Sequence, residues 1–397
     1  MKILHIITRL IVGGAQENTL LTCEGLHAKG HEVTLLTGPS LGPEGSLMER
    51  AEKGGYRVIV TPHLVRSPHP WHDHAAYREI QNLCRELKPD VVHTHSSKAG
   101  ILGRAAAWKV KFRTQNSEFR TPLVVHTIHG LPFHPYQSAA ARKLWIAMER
   151  WAARRCDAII CVADAMTRQA LAAGVGQPEL FTTIYSAMEV EPFIHPGITR
   201  DEVRTKLNIP PTAFVFGTIS RLQPLKGHDD LIAQMADLFA KIPSAHLLWI
   251  GDGVFRTRFE KTLADRGWRN RVTLTGLVPP TEVPRLLPAM DALVHPSYRE
   301  GLARALPQAL LAGVPVISYD CDGAAEVCIE NKTGFLVKTG DAYSLRDAMI
   351  RMASDRAAAV EMGRYGQSFC LERFSAPFMV NRIEALYQQL AARRNAV

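Results

Sequence analysis

The sequence predicts an α/β protein made of two doubly wound domains, each a mainly parallel sheet with helices on both faces. Two observations predict it. Short apolar or β-branched runs alternate with stretches of helical spacing from one end of the chain to the other, which is the pattern of repeated βα units. The runs also fall into two series, separated by a stretch holding Pro192, Pro196, Pro210 and Pro211. No repeat at a period of about 20–50 residues is present, which excludes a solenoid.

In the first series, residues 2–7, 32–36, 57–60, 91–95, 123–126 and 158–162 read as buried strands, with 182–185 as a seventh. Their nearly unbroken apolar character suits strands covered on both faces. Residues 15–29, 75–87, 100–108 and 139–155 between them carry helical spacing. The second series places strands at 214–219, 246–250, 272–275, 292–295, 316–319 and 334–337, and a helical run at 376–392 closes the chain. The expected domains are therefore 1–190, with the final helix (about 376–397) packing back on it, and 191–375.

At 397 residues, 46% hydrophobic and 21% charged, the composition is that of a globular enzyme of two or three domains. The N-terminal segment is interrupted by Lys2, His5 and Arg9 and has no cleavage site, so it reads as a strand and not as a signal peptide. Seven cysteines, with no Cys-x2-Cys pair, argue for reduced thiols and against a disulfide framework or structural zinc. A cytoplasmic protein is expected, at most peripheral at the inner face of a membrane.

The net charge of +9 is unevenly distributed. Residues 1–97 balance ten Lys/Arg against ten Asp/Glu, whereas 98–120 hold Lys98, Arg104, Lys109, Lys111, Arg113 and Arg120 against Glu118 alone. A solvated basic face, an anionic membrane surface and a phosphorylated substrate are all compatible with this excess. No nucleic-acid module accompanies it. Aromatic residues are interleaved with the charges: Trp108, Val110 and Phe112 in this stretch, Trp145 and Trp151 further on. An amphipathic surface for anionic lipid is thus one expectation.

Candidate chemistry gathers after the carboxyl ends of the expected strands, where open α/β sheets bind ligands. Gly13-Gly14-Ala15-Gln16 follows the first strand and opens a helix, which is either a tight turn or a site for an oxyanion on free N–H groups. It is not a dinucleotide fingerprint. His93 and His95 share one face of their strand, since side chains alternate. For His93 and His126, packing and ligand roles are equally open; His129, followed by Gly130-Leu131-Pro132, sits at a forced loop exit.

In the second half, Arg221 and Lys226 flank a Pro/Gly turn after the 214–219 strand. They read either as a surface basic pair or as a planar fork and a mobile charge converging on a diphosphate. Gly251-Asp252-Gly253 is a turn of the same edge, and Asp320 and Asp322 read as a polar loop with no third ligand for a metal. Residues 297–313 put Glu300 and free backbone N–H groups where a strand gives way to a helix. Glu300 and Gln308, eight residues apart, would be about 12 Å apart along a helix, and Pro307 between them would kink or delay it.

In this order, Gly-Gly-Ala-Gln, His-Gly, Ser-Arg-Leu-x3-Lys-Gly, Gly-Asp-Gly and Pro-Ser-x2-Glu-Gly resemble the retaining glycosyltransferases of family 4 through nearly the whole chain. The resemblance implies the GT-B fold, two Rossmann-like domains facing across a cleft. It also implies transfer of a hexosyl-type sugar from a UDP- or GDP-sugar to a glycan or lipid-linked acceptor, in cell-envelope or exopolysaccharide synthesis, with no metal or other cofactor. By it, Arg221 and Lys226 hold the diphosphate, with Gly251 beside them. Glu300 with the N–H groups of Gly301 and Leu302 holds the sugar, residue 308 meets the ribose, and His129 stands by the reacting carbon. Gly13, Gly14, Gln16 and His95 fall to the acceptor side. The chain departs from the family at Gln308, where the second Glu of the Glu-x7-Glu signature belongs, and at Ser186-Ala187, where Asn-Gly is common. A sugar-nucleotide epimerase of the same architecture and a catalytically silent nucleotide- or glycan-binding module are the rival readings.

Overall fold

The computed structural model describes residues 1–40, 45–113 and 121–395, without the side chains of residues 112, 113 and 395. The chain forms two compact units, Met1–Met188 with Ala376–Val397, and Glu189–Ser375.

The first unit holds seven strands: β1 (Lys2–Arg9), β2 (Glu32–Gly38), β3 (Arg57–Val60), β4 (Val91–His95), β5 (Leu123–Ile128), β6 (Ala158–Cys161) and β7 (Phe181–Thr183). They pair in the order β3-β2-β1-β4-β5-β6-β7, and every pairing is parallel. The second holds β8 (Phe214–Ile219), β9 (Ala245–Ile250), β10 (Val272–Leu274), β11 (Ala292–His295), β12 (Val316–Tyr319) and β13 (Gly334–Val337). Their order is β10-β9-β8-β11-β12-β13, again all parallel. Each sheet therefore reverses winding once, between β1 and β4 and between β8 and β11. A crevice for ligand opens beyond the strand ends at such a reversal.

Continuous apolar strands demand cover on both faces, and helices supply it. In the first unit, Leu20, Cys23 and Leu26 of the Gly14–Ala28 helix and Met379, Val380, Ile383 and Tyr387 of the Ala376–Asn395 helix join Ile3, Ile7, Val91, Leu123 and Val125 in one core. In the second, Leu231, Met235 and Leu238 of the His228–Lys241 helix pack with Phe214, Phe216, Trp249, Ala292 and Ile317. All seven cysteines are free and buried. No helix among the described residues is long and apolar enough to cross a membrane.

Of the two outcomes expected at Pro307, a kinked or a delayed helix, the structure shows the delayed one. Residues 300–304 are not helical, and the helix begins at Ala305 and runs to Leu311, so Pro307 lies in its first turn, where its missing N–H costs nothing.

Candidate functional site

In the second unit the loops after β8 and β11 are laced together. Leu225 takes a left-handed conformation with φ 66°, and its carbonyl accepts from Tyr298 N at 2.9 Å and Ser297 Oγ at 3.2 Å. Gly227, φ 73°, lies so close to Pro296 that a Cβ there would stand 1.9 Å from the Pro296 oxygen. Only glycine meets both demands. Asp230 Oδ2 accepts from the hydroxyls of Tyr298 and Tyr319, each at 2.7 Å, which ties the loop after β11 and the end of β12 to the start of the His228–Lys241 helix.

This lacing delivers Lys226 to Glu300, where Nζ donates to Oε1. Their side chains are 17% and 20% exposed, so the pair is open to a ligand yet shielded from bulk water. Burial alone would raise the Glu300 carboxyl; Lys226 and His295 outweigh it and hold the group far below the usual carboxylate range. His295 Nε2, at the end of β11, is 3.3 Å from Glu300 Oε1, outside hydrogen-bonding geometry. Asp322 Oδ2 accepts from Glu300 N at 2.7 Å and so fixes the backbone that carries the acid.

Arg221 is exposed on the same turn and makes no ion pair among the described residues. The turn itself is braced by the next loop: Ser220 N donates to Ile250 O, Leu222 N to Asp252 O, and a Cβ on Gly251 would stand 2.2 Å from Ser220 O. Arg221, Lys226, Gly251 and Glu300 thus share one edge of the sheet, where Lys226 and Glu300 form an ion pair and Gly251 packs against the Ser220-Arg221 backbone. Gly301 is half-buried and Leu302 buried behind Glu300, and Gln308 is half-buried on the Ala305–Leu311 helix.

In the first unit a row of histidines runs along one sheet face toward the strand ends. His5 and His93 are direct partners across β1 and β4. His5 Nδ1 is 3.0 Å from His95 Nε2, and His95 Nδ1 is 3.2 Å from His129 Nε2. His93 spends both nitrogens inward, on Tyr387 Oη at 2.5 Å and Thr127 Oγ1 at 2.7 Å. Burial pushes His5 down to about 3, and burial with neighbouring imidazoles drives His93 and His95 well below the ordinary value. Ligating nitrogens of His5, His93 and His95 lie within 4.8 Å of one another, yet this closeness is accounted for by hydrogen bonding among neutral rings and to Tyr387 and Thr127.

The row revises the place given to His95, which is buried beneath His129 and reaches a ligand only through it. His126 points to the opposite face, hydrogen-bonded to Thr94, and is a packing residue. His129 is half-buried at the strand exit. Gly13 caps the Gly14–Ala28 helix, and the Gln16 side chain folds back over it, with Oε1 2.8 Å from where a Cβ would be.

Folding pairs three of the six basic residues of 98–120 with carboxylates. Lys98 pairs with Asp73, Arg104 with Glu149 at 2.8 Å and Lys111 with Asp157 at 2.6 Å, and Val110 is buried in the core. Glu118, Arg120 and the side chains of Phe112 and Arg113 lie outside the described residues. Sequence reasoning missed His5, His295 and Asp322, and the pairing of Lys226 with Glu300. His5 had one signal, a polar ring alone in an apolar strand.

Two family models match: "Glycosyl transferase 4-like domain" over residues 13–184 and "Glycosyl transferases group 1" over 199–369. Among curated proteins, the chain is 26% identical to an Escherichia coli UDP-Gal:alpha-D-GlcNAc-diphosphoundecaprenol alpha-1,3-galactosyltransferase, over 98% of this chain and 96% of that one. It is 24% identical to a GDP-mannose-dependent alpha-(1-6)-phosphatidylinositol monomannoside mannosyltransferase of Mycolicibacterium smegmatis, over 96% of each. Among solved structures, Anabaena HepE in complex with UDP superposes with TM-score 0.81 at 21% identity, covering 98% of this chain and all of that one. A Thermosynechococcus elongatus sucrose-phosphate synthase superposes with TM-score 0.80 at 21% identity, over 99% and 100%. At such identity these two structures establish the GT-B fold.

Proposed function

The chain belongs to the family 4 glycosyltransferases of group 1, and from that premise we propose the reaction its own residues serve: retaining transfer of a hexosyl-type sugar from a nucleoside diphosphate sugar to a glycan or lipid-linked acceptor. The observation that carries it is the Lys226–Glu300 pair, held at the winding reversal of the second sheet by Gly227 and Leu225. Breaking a glycosyl phosphate bond develops negative charge on the diphosphate and positive charge on the sugar ring. A lysine and a carboxylate already side by side match those two charges.

In this reading the second unit takes the nucleotide sugar. Lys226 and Arg221 hold the diphosphate, Glu300 with the N–H groups of Gly301 and Leu302 takes the sugar hydroxyls, and Gln308 the ribose. Entry of the donor turns Lys226 from Glu300 to phosphate, freeing the carboxylate for the sugar. Fixed cations supply the stabilisation of the leaving group, so the reading calls for no cofactor. The first unit takes the acceptor, with His129 and the Gly13-Gly14 turn as its candidate groups. The course proposed is a same-face displacement, which needs no carboxylate nucleophile.

The relatives' named substrates include diphosphoundecaprenol-linked and phosphatidylinositol-linked acceptors, which supports a role in envelope or exopolysaccharide synthesis. Peripheral membrane contact, in this reading, rests on the Ala139–Ala153 helix and not on residues 98–120. There Leu144 and Trp151, seven residues apart and 60% and 44% exposed, share a face bordered by exposed Lys143, Arg150 and Arg154.

The test begins with thermal shift against nucleoside diphosphates and their sugars. Ligand at about a hundred times its Kd should stabilise by about 2.7 kcal/mol. Transfer is then followed as acceptor-dependent release of nucleoside diphosphate, with the anomeric configuration of the product read by NMR. Conversion of the nucleotide sugar without acceptor would identify an epimerase; binding without either reaction would identify a silent module.

A further inference from the structure

His5, His95 and His129 form a continuous chain of ring-to-ring hydrogen bonds, from the interior of the first sheet to its strand ends. The ring planes of successive pairs are inclined by only 21° and 29°, with centroids 5.3 and 5.4 Å apart. Each centroid separation nearly equals the N···N distance plus the two ring radii. The nitrogens therefore point at one another along the line of centres, as a linear hydrogen bond requires.

Neutral imidazole carries one proton, so each ring donates to one neighbour and accepts from the other. Only two registers satisfy both contacts. In the inward register, His129 Nε2–H donates to His95 Nδ1, His95 Nε2–H donates to His5 Nδ1, and the His5 proton must sit on Nε2. That atom is buried with no hydrogen-bond partner among the described residues. In the outward register, His5 Nδ1–H donates to His95 Nε2, His95 Nδ1–H donates to His129 Nε2, and His5 Nε2 keeps only a lone pair. A buried N–H left unpaired is rarer than an under-satisfied acceptor, so the dead end at His5 selects the outward register.

We propose that His5 and His95 are positioning residues that hold His129 in the Nδ1–H tautomer, with its Nε2 committed as the acceptor from His95. His129 then serves substrate as a hydrogen-bond donor through Nδ1–H, and not as a general base from that nitrogen. A donor suits a hydroxyl or a developing oxyanion; a base would need the lone pair that this register removes. His93 takes no part, since Tyr387 and Thr127 occupy both its nitrogens. The tautomer stands on the geometry of the first unit alone, whereas its catalytic use rests on the transferase reading above.

The experiment is ¹⁵N–¹H correlation spectroscopy on protein labelled at histidine, with the His129 ring assigned by loss of its signals in His129→Gln, a half-buried site. Neutral imidazole in water favours Nε2–H, so an Nδ1–H ring at His129 is the diagnostic result. His95→Phe should return His129 to Nε2–H. It should lower kcat at least about tenfold, as a misplaced ring proton costs a catalytic imidazole, and leave nucleoside diphosphate affinity unchanged. His95→Asn, whose amide N–H stands near the place of Nδ1–H, should restore the tautomer and much of the rate. An Nε2–H or doubly protonated His129 in the wild type, or a tautomer indifferent to His95→Phe, overturns the inference while leaving the transferase reading intact. A chain that binds no nucleotide yet shows Nδ1–H at His129 removes that reading and supports the tautomer. Should His95→Phe fail to fold, the wild-type spectrum decides.

Discussion

Lys226 Nζ donates to Glu300 Oε1 across 74 residues of sequence, and the pair forms although each residue has a different destination once donor is bound. Lys226→Met leaves the carboxylate without its main partner, costing about 1–3 kcal/mol at neutral pH. The sign of the pH dependence follows from Glu300. In the wild type its depressed carboxyl contributes stability above the ordinary glutamate range, near about 4.3, and that stability is lost as pH falls toward the folded value. In the variant only His295 is left to oppose burial, so the carboxyl is held down less than in the wild type and acidification relieves the variant first. Denaturation midpoints should show the gap between the two proteins widest near neutral pH and narrowing toward pH about 4. An equal gap at both ends would mean the pair contributes nothing electrostatic.

Arg221 offers the cleaner kinetic test, because it is exposed and forms no ion pair among the described residues. Arg221→Ala should leave the melting temperature unchanged while costing about 2–4 kcal/mol of transition-state stabilisation, as removal of other donors to a developing anion does. Wild-type kinetics with a verified nucleotide sugar would remove Arg221 from the diphosphate site.

Gly227→Ala tests the scaffold rather than the chemistry. The new Cβ would meet the Pro296 oxygen at 1.9 Å on a backbone of φ 73°. The left-handed conformation alone costs about 1–2 kcal/mol, and the clash must also part the two loops. Urea denaturation should show a loss larger than that figure, and calorimetry a loss of nucleoside diphosphate affinity. A variant as stable as the wild type with full affinity would show that the loops can separate freely.

Vesicle flotation tests the membrane reading. Protein should float with anionic and not with neutral vesicles, less so at high salt, and Leu144→Ser with Trp151→Ser should abolish it. Equal recovery with both vesicle types, insensitive to salt, would remove the electrostatic part of the reading.

How much of this was legible beforehand depends on the range of the interaction. All thirteen strands of the described residues fall on runs visible in the sequence, because most are covered on both faces and so read as nearly continuous apolar runs, the edge strands β3 and β7 least so. Glu300 and Lys226 were each visible, but their contact was not, since it depends on Leu225 meeting Ser297 across 72 residues. The pairing of Lys98, Arg104 and Lys111 was hidden for the same reason: Asp73, Glu149 and Asp157, which answer them, lie 25, 45 and 46 residues away. His5 looked like an ordinary strand residue until sheet order placed β1 beside β4.

Gln308 carries the last prediction, and the structure sharpens it. The residue is half-buried at the middle of the Ala305–Leu311 helix, where its N–H donates to Arg304 O at 3.1 Å. A carboxylate accepts from both ribose hydroxyls with charge assistance, whereas an amide offers one accepting oxygen. That difference favours acid at this position, so Gln308→Glu should tighten nucleoside diphosphate sugar binding several-fold, in line with a bond difference of about 1 kcal/mol. Turnover should barely change, because ribose contacts are made equally in ground and transition states. If the surroundings are instead fitted to an amide, the new charge is left unpaired, and affinity and melting temperature fall together. Calorimetric titration of both proteins with the nucleoside diphosphate separates these outcomes, and an affinity that does not move would place residue 308 out of reach of the ribose.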